Sequence, residues 1–335
     1  MIKKHTKSTS FFPTIFWMLA CTLLSSLFLI GCATDEPHMS EEINIGCMKG
    51  PTAIGMIKLL SDSDEGITQN TYHYTIAGTA DELSTALIQG DMDIAAVPCN
   101  LASVLYNRTE GEIVTVAINT LGVLYIVEEG ETIHSVTDLQ GKTIYSTGQG
   151  TTPEYTLRYL LMVNGLDPDR DVSIEYKSES PEVVAILAQN SDAVAMLPQP
   201  YVTSALNNNE NLRIALDVTK EWEASSQDST VVTGVIVARK DFINEHKEAF
   251  TAFLSEYKAS TAYANECATE TSLLLEKFDI FKAAIAEKAI PFCNVTYIDG
   301  AEMEAKVTAY LQVLYGQNPN AVGGSVQEGM FWFEN

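Results

Sequence analysis

Two short segments, one hundred residues apart, carry side chains suited to holding a small ligand. Lys49-Gly50-Pro51-Thr52 aligns at that offset with Gln149-Gly150-Thr151-Thr152, and the second segment is flanked by Thr147 and Glu154. Hydroxyls, amides, one lysine and one carboxylate can hydrogen-bond a polar solute, but they supply no nucleophile–base pair. These residues therefore predict reversible binding of a small molecule, without catalysis, a cofactor or a metal.

A second pair of segments repeats the same offset. Pro98-Cys99-Asn100-Leu101 aligns with Pro198-Gln199-Pro200-Tyr201, which adds Asn100, Gln199 and Tyr201 to the candidate ligand residues. Upstream of this pair, Glu82, Leu87, Gln89 and Ala95 recur as Glu182, Leu187, Gln189 and Ala195. Separated blocks that share one offset indicate two lobes of similar build. The cleft between the lobes is then the expected binding site.

Four of the candidate residues also have a purely structural interpretation. Lys49 is either a solvated loop lysine or a ligand contact, and Gln149 is either a turn residue between two glycines or a ligand contact. Glu154 falls in a predicted first helical turn, where the helix dipole favours an acid. Tyr201 fits the core as well as the cleft. The sequence leaves these alternatives open.

The elements that position these residues alternate between strands and helices. Such alternation predicts an α/β fold with parallel sheets and right-handed crossovers, in which ligands bind beyond the carboxyl ends of the strands. Strands are predicted at 43–47, 72–76, 93–97, 143–146, 172–176 and 193–197, and helices at 52–60, 80–89, 100–105, from 153, and at 181–189.

Two apolar strands, 121–127 and 231–238, are predicted to join the lobes. The first lobe is then expected to comprise 43–127 and 232–335, and the second lobe 128–231. Residues 241–315 are predicted to be largely helical. The aromatic tail is predicted to be an extended strip packed on the back of a lobe, with a partner site as the alternative.

The N-terminus has the pattern of an export signal. Lys3, Lys4 and Lys7 precede an apolar run at 11–30. The run ends in Leu29-Ile30-Gly31-Cys32, which resembles the bacterial lipobox, a motif that implies cleavage before the cysteine and lipidation of Cys32. Residues 1–31 are then the signal peptide and 32–42 a tether. The alternative is an uncleaved membrane anchor, and both interpretations place the rest of the chain outside the cytoplasmic membrane.

The net charge and the cysteine content limit which binding partners are expected. The net charge of −24 at pH 7 repels nucleic acid and anionic lipid headgroups, so neither is an expected partner. Cys47 and Cys99 form either a disulfide or two buried free thiols. No histidine lies near them, Cys267 or Cys293 in sequence, which argues against a metal site. The protein is expected to be a monomer.

The chain resembles the extracytoplasmic solute-binding proteins of ABC importers. It is similar, within them, to the receptors for alkanesulfonates, taurine, nitrate and the pyrimidine precursors of thiamine synthesis. The resemblance covers roughly residues 43–300 and rests on motifs in a shared order: Gly50-Pro51-Thr52, Ile94-Ala95-Ala96-Val97-Pro98, Asp138-Leu139-Gln140-Gly141-Lys142, Gly148-Gln149-Gly150-Thr151-Thr152-Pro153 and Thr233-Gly234-Val235-Ile236-Val237-Ala238-Arg239.

The resemblance implies a two-lobed periplasmic-binding-protein type II fold. Each lobe is then a mainly parallel sheet flanked by helices, and two hinge strands join the lobes. It also implies capture of a small solute in the cleft and delivery to an ABC permease. Alternatives are an enzyme of pyrimidine-precursor metabolism on the same fold and a receptor that signals through a partner protein. Such enzymes need metal-binding histidines and cysteines, whereas His73, His134 and His246 lie away from the predicted cleft loops.

The loop chemistry narrows the class of ligand. Lys49 is the sole cation in the four loops, and no arginine occurs in them. Receptors for sulfonate or nitrate are expected to use backbone amides together with a firm set of cationic or other donor groups. We therefore expect a mostly neutral, planar or polar solute, such as a nitrogen heterocycle or a pyrimidine. Tyr201, Trp222 and Phe292 are candidate stacking surfaces.

Overall fold

The computed structural model describes residues 1–2, 40–226 and 228–333. Residues 3–39 lie outside the described residues, and with them nearly all of the predicted signal peptide, Cys32 and the tether up to residue 39, so nothing in the structure tests these predictions. Among the residues that are described, none of the helices combines the length and the apolar character needed to cross a membrane.

The strands form two sheets, and each sheet is the framework of one lobe. The first sheet has the order β11-β4-β10-β3-β1-β2 and the second β7-β6-β8-β5-β9. The strands are β1 (Glu42–Met48), β2 (Thr71–Ala77), β3 (Ile94–Pro98), β4 (Ile113–Leu121), β5 (Leu124–Glu129), β6 (Thr143–Ser146), β7 (Ser173–Tyr176), β8 (Val194–Pro198), β9 (Leu212–Asp217), β10 (Val232–Arg239) and β11 (Val295–Ile298).

The two sheets have the same internal plan. In the first sheet β1 pairs in parallel with β2 and β3, and β10 runs antiparallel between β3 and β4. In the second, β6 pairs in parallel with β7 and β8, and β5 runs antiparallel between β8 and β9. In each sheet the antiparallel strand β10 or β5 directly follows a crossing of the chain from the other lobe. The two-lobed α/β fold with repeated lobes, predicted from the offset, is confirmed.

Helices flank both sheets. They are α1 (Pro51–Ile54), α2 (Ile57–Asp64), α3 (Ala80–Gln89), α4 (Cys99–Arg108), α5 (Thr152–Val163), α6 (Ser180–Gln189), α7 (Tyr201–Asn208), α8 (Val218–Ser225), α9 (Lys240–Glu245), α10 (Lys247–Glu266), α11 (Ala268–Lys277), α12 (Ala283–Ala289) and α13 (Gly300–Gln317). Short 3-10 turns occur at Val136–Leu139, Ile290–Phe292, Pro319–Val322 and Glu328–Met330.

The helices begin and end where local chemistry requires. Proline occupies the first turn of α1, α5 and α6, where its missing N–H has no intrahelical partner to lose. Helix α3 ends at Gly90, whose φ of 83° is in the left-handed region that glycine adopts without strain. The offset is visible here too, because α3 and α6 occupy equivalent positions one hundred residues apart.

Two predicted elements are divided in the structure. The single strand predicted at 121–127 is two strands in different sheets, β4 and β5, and the predicted lobe boundary after residue 127 falls inside β5. The chain crosses at Gly122, where a Cβ would lie 1.9 Å from Thr219 Oγ1, so a side chain does not fit. The helix predicted at 52–60 is divided into α1 and α2. The division is at Gly55, where a Cβ would lie 3.1 Å from Thr261 Oγ1.

Two alternatives were predicted for the tail and two for the cysteines, and the structure matches one of each. Phe331 forms a bridge with Thr115, and Trp332 packs edge-to-face on Phe250 with ring centroids 4.9 Å apart. This is the predicted strip on the back of the first lobe. The four described cysteines are free thiols, and the proposed pair is not bonded. Burial raises the pKa of Cys47 to about 12, as expected of a structural thiol.

Candidate ligand-binding cleft

A cavity of about 1050 Å³ lies between the two lobes. It is bounded mainly by the loops that follow parallel strands, as open α/β sheets require. The predicted ligand residues that line it are Lys49, Gly50, Pro51, Thr52, Thr147, Gln149, Thr151, Thr152 and Tyr201.

The loop from β6 to α5 is folded by its own side chains. Gly148 and Gly150 have φ values of 75° and 77°, in the left-handed region. A Cβ at Gly148 would also lie 2.9 Å from Pro153 Cγ, so glycine is required there on both counts. Thr151 Oγ1 donates to the Gly148 carbonyl at 2.8 Å. The result is a tight turn that presents Gln149 to the cavity.

Several helices begin at the cleft. Thr52 of α1, Asp81 of α3, Thr152 of α5, Ser180 of α6 and Tyr201 of α7 each lie in a first turn and line the cavity. First-turn N–H groups have no intrahelical acceptor, and the helix dipole makes that end partly positive. The cleft is therefore rich in hydrogen-bond donors contributed by the backbone.

Glu154 and Gln199, predicted as ligand residues, do not line the cavity. Glu154 Oε2 accepts from the Gly150 N–H at 2.6 Å, so this first-turn acid stabilises the loop. Gln199 is 2% exposed, and its Oε1 accepts from the backbone N–H and the hydroxyl of Thr203 at 3.2 and 2.8 Å. Both side chains are occupied by hydrogen bonds with groups close to them in sequence, which sequence spacing alone did not reveal.

Asn100 and Gly150 also do not line the cavity, and they contact each other. Asn100 Nδ2 donates to the Gly150 carbonyl at 3.3 Å and to the Ala321 carbonyl at 3.0 Å. Asn100 Oδ1 accepts from Thr152 Oγ1 at 3.4 Å. The first lobe and the second lobe are thus in direct contact behind the cavity.

Two of the three predicted stacking residues are elsewhere. Trp222 is 0% exposed, and its Nε1 donates to Ser229 Oγ at 2.8 Å inside the core. Phe292 is 56% exposed but does not line the cavity. Tyr201 does line it, with its ring centroid 5.0 Å from that of Phe281, which also lines the cavity. Burial raises the pKa of Tyr201 to about 12, so its phenol is neutral at physiological pH.

The structure adds residues that sequence analysis missed. The loops after β2 and β7 also face the cavity, through Gly78 and Thr79 and through residues 176–181. Both strands were predicted, and the rule that ligands bind at strand ends applies to them equally. The turn between α11 and α12 adds Phe281 and Lys282. This turn follows the return of the chain from the second lobe, so no strand-end pattern marks it.

Thr233 is a further missed residue, on the hinge strand β10. Val232 pairs with Leu121 and Gly234 with Thr120, so Thr233 is the extra residue of a β-bulge. Bulges redirect side chains next to binding sites, and Thr233 lines the cavity. Its buried hydroxyl has no hydrogen-bond partner among the described residues.

Charges in the cleft are mixed. Lys49 Nζ lies 3.7 Å from a carboxylate oxygen of Asp279, and Lys177 Nζ lies 3.0 Å from Glu175. Lys282 is the third lysine of the lining, and of the described residues no arginine contributes to it. The lining carboxylates are Asp81, Glu179, Glu276 and Asp279. The lining thus holds more carboxylates than cations.

The described residues show no group of three His, Cys, Asp or Glu side chains placed to hold a metal ion. His73 and His246 lie beside Glu42 and Glu41, at 3.6 and 3.4 Å, and neither histidine lines the cavity.

Comparison with known proteins identifies the class. A model of the family described as "ABC transporter, phosphonate, periplasmic substrate-binding protein" matches residues 65–288, and the chain belongs to that family. Proteins of this class bind small ligands and deliver them to a membrane permease. The protein is an ABC-type periplasmic solute-binding protein. No curated protein matches the chain by sequence.

Solved structures share the fold. An ABC transporter protein from Parabacteroides distasonis superposes with a TM-score of 0.73 at 24% identity, over 88% of this chain and 100% of that chain. The periplasmic aliphatic sulphonate binding protein SsuA from Escherichia coli gives 0.68 at 18% identity, over 88% and 93%. The nitrate-binding protein NrtA from Synechocystis PCC 6803 gives 0.58 at 14% identity, over 79% and 75%.

Proposed function

We propose that this protein is the membrane-tethered receptor of an ABC importer for a small, mostly uncharged organic solute, such as a nitrogen heterocycle of the pyrimidine type. The observation that carries the proposal is the cavity of about 1050 Å³ between the lobes, lined by hydroxyls, first-turn N–H groups and the rings of Tyr201 and Phe281. Contact of one solute with both lobes favours the closed population.

The charge balance supports an uncharged solute. Two of the three lining lysines already face carboxylates, Lys49 beside Asp279 and Lys177 beside Glu175. An anionic solute would have to compete for these cations and tolerate the remaining carboxylates. A planar ring with N–H and carbonyl groups instead exchanges hydrogen bonds with hydroxyls and backbone amides. It also gains stacking against Tyr201 or Phe281.

An organic oxyanion is the second candidate. The first turns of α1, α3, α5 and α6 supply donors with a partial positive charge at the cavity wall. SsuA, which shares the fold, is described as a sulphonate-binding protein. A sulfonate or phosphonate end could dock on these donors if the acids point away from it.

Mass spectrometry of molecules released from the gently purified protein tests the proposal. Thermal shift against pyrimidines, alkanesulfonates, methylphosphonate and amines then ranks the classes. A pyrimidine at a hundred times its Kd is expected to stabilise the fold by about 2.7 kcal/mol. Gln149→Leu, which changes an exposed cleft residue, is expected to abolish the shift.

Gln189→Leu is the matched control, because Gln189 is an exposed glutamine of the same lobe outside the cavity. It should retain the full shift. Stabilisation by sulfonates or phosphonates alone would favour the second candidate. Equal shifts for wild type and Gln149→Leu would remove the β6–α5 loop from the site.

The tether is a separate part of the proposal and rests on the lipobox-like segment that ends at Cys32. Cys32→Ser removes the thiol that would carry the lipid. We expect the variant to move from the membrane fraction to the soluble fraction, with unchanged thermal stability of the folded part. Fractionation of cells followed by immunoblotting measures this, and membrane retention of the variant would contradict lipidation.

A further inference from the structure

Asn100 joins three segments of the chain with one buried side chain. It lies in the first turn of α4 in the first lobe and is 1% exposed. Its Nδ2 donates to the carbonyls of Gly150 and Ala321, and its Oδ1 accepts from Thr152. Gly150 and Thr152 belong to the β6–α5 loop of the second lobe, whose Gln149, Thr151 and Thr152 line the cavity.

The segment that contains Ala321 is fixed to the first lobe. Ser103 Oγ donates to the Val322 carbonyl at 2.9 Å. Asn107 Nδ2 donates to the carbonyls of Val322 and Ser325 at 2.9 and 2.8 Å. Helix α4 therefore anchors the segment at several points. Of the side chains of Asn100, Ser103 and Asn107, only that of Asn100 also contacts the β6–α5 loop, which lines the cavity.

Separation of the lobes at the β6–α5 loop would break two of the three hydrogen bonds of Asn100. Its bond to Ala321 lies within the first lobe and can persist, whereas the bonds with Gly150 and Thr152 cross between the lobes. At 3.3 and 3.4 Å these are longer than the usual N–H···O or O–H···O distance, so each is weak. In sum they are expected to change the ratio of closed to open molecules by roughly threefold to tenfold.

We propose that Asn100 is a latch between the lobes, a positioning residue that stabilises the closed cleft without contacting the solute. The latch acts in the unliganded protein, because all its partners are protein atoms. It sets the fraction of molecules that are closed before binding. The apparent affinity for any solute that selects the closed state scales with that fraction, and only this last step rests on the proposed function.

Two asparagines on one helix allow a matched test. Asn100→Ala removes both bonds between the lobes. Asn107→Ala removes bonds from the same helix to the same C-terminal segment but none to the second lobe. Spin labels at the exposed positions 89 and 189, at the far ends of α3 and α6, report the distance between the lobes. The measurement uses the full chain in detergent micelles, with Cys267→Ser to remove the partly exposed thiol and with no added solute.

In double electron–electron resonance, Asn100→Ala is expected to lower the closed-to-open ratio by threefold to tenfold relative to wild type. Asn107→Ala is expected to leave the ratio unchanged. If Asn100→Ala does not fold, Thr152→Val removes the hydroxyl that bonds to Oδ1 and also contacts Tyr310, and a shift of roughly twofold in the same direction is expected. Both variants are checked by near-UV circular dichroism.

Three results would overturn the latch. They are an unchanged ratio in Asn100→Ala, an equal shift in Asn107→Ala, or a wild-type protein that is fully open without solute. Because no solute is used, these results are independent of the mass spectrometry experiment. A failed search for a released molecule leaves the latch standing, and a failed latch leaves the proposed receptor function standing.

Discussion

Replacing Trp222 with alanine is expected to lower the free energy of unfolding by about 3–5 kcal/mol, the usual range for removing a large buried aromatic side chain. Trp222 is 0% exposed. Its ring centroid lies 4.3 Å from that of Tyr159 and 5.1 Å from that of Tyr310. Alanine would leave a cavity among these rings and would also leave the Ser229 hydroxyl without its indole donor.

Because of the position of Trp222, we expect its removal to lower the stability of the whole molecule. Trp222 and Tyr159 belong to the second lobe, whereas Tyr310 lies on α13, which packs on the hinge strands β4 and β10 as well as on α5. Tyr310 also shares a hydrogen bond of 2.7 Å with Thr156 of α5. We therefore expect the Trp222→Ala variant to lose stability in both lobes in one transition.

Denaturant unfolding followed by far-UV circular dichroism measures the effect. Trp332→Ala is the matched control, because Trp332 is partly exposed and packs on Phe250 at the end of the tail. Its loss is expected to be about half as large or less. Equal losses for the two variants would contradict the larger role of Trp222 in the core. A solute-dependent effect confined to Trp222→Ala would return Trp222 to the candidate ligand contacts.

The architecture could be predicted because local patterns of apolar and polar residues indicate its strands and helices. Strand and helix periodicities recur at one offset, and β3 and β8 occupy 94–98 and 194–198 as that offset requires. The rule for ligands at strand ends then indicated four loops, each of which contributes residues to the cavity wall. Those inferences depend only on residues that are close together in the chain, so the sequence is sufficient to make them.

The errors have a different physical origin. Whether Asn100 contacts a solute or protein depends on Ala321, which is 221 residues away in the chain. The residue type of Trp222 does not show whether the side chain is buried in the core or faces a ligand. In this case a local signal existed, since Val218 and Trp222 are four residues apart on one buried face of α8. The turn that supplies Phe281 belongs to no repeat, and only the folded arrangement of the chain places it at the cavity.

Removing Arg213 is expected to destabilise the second lobe in a pH-dependent way. Glu128 is 2% exposed, and it accepts hydrogen bonds from Thr132 Oγ1 at 2.6 Å, from the Ile133 N–H at 2.9 Å and from Arg213 Nη2. Arg213 also donates to the carbonyls of Gly130 and Ile133, each at 2.7 Å. Arg213→Met keeps the aliphatic bulk but leaves the buried carboxylate without its cation.

The sign of the pH dependence follows from the pKa of Glu128. Burial by itself raises this pKa, but the hydrogen bonds from Thr132, Ile133 and Arg213 outweigh burial and set it below its ordinary value. A carboxyl with a depressed folded pKa contributes stability above its unfolded pKa, near 4.3 for Glu. That contribution is lost as the pH falls through the folded pKa.

At pH 7 Arg213→Met is expected to cost about 2–3 kcal/mol, less than a fully buried pair because the Arg213 side chain is 29% exposed. Below the folded pKa of Glu128 the difference from wild type should shrink, since a protonated carboxyl has little need of the cation. Arg170→Met is the control, because Arg170 is 84% exposed and its pairing with Asp167 at 3.5 Å is worth little. Urea unfolding from pH 3 to 8 measures all three proteins. A difference that stays constant with pH would show that Arg213 stabilises the lobe through its carbonyl contacts and not through the charge of Glu128.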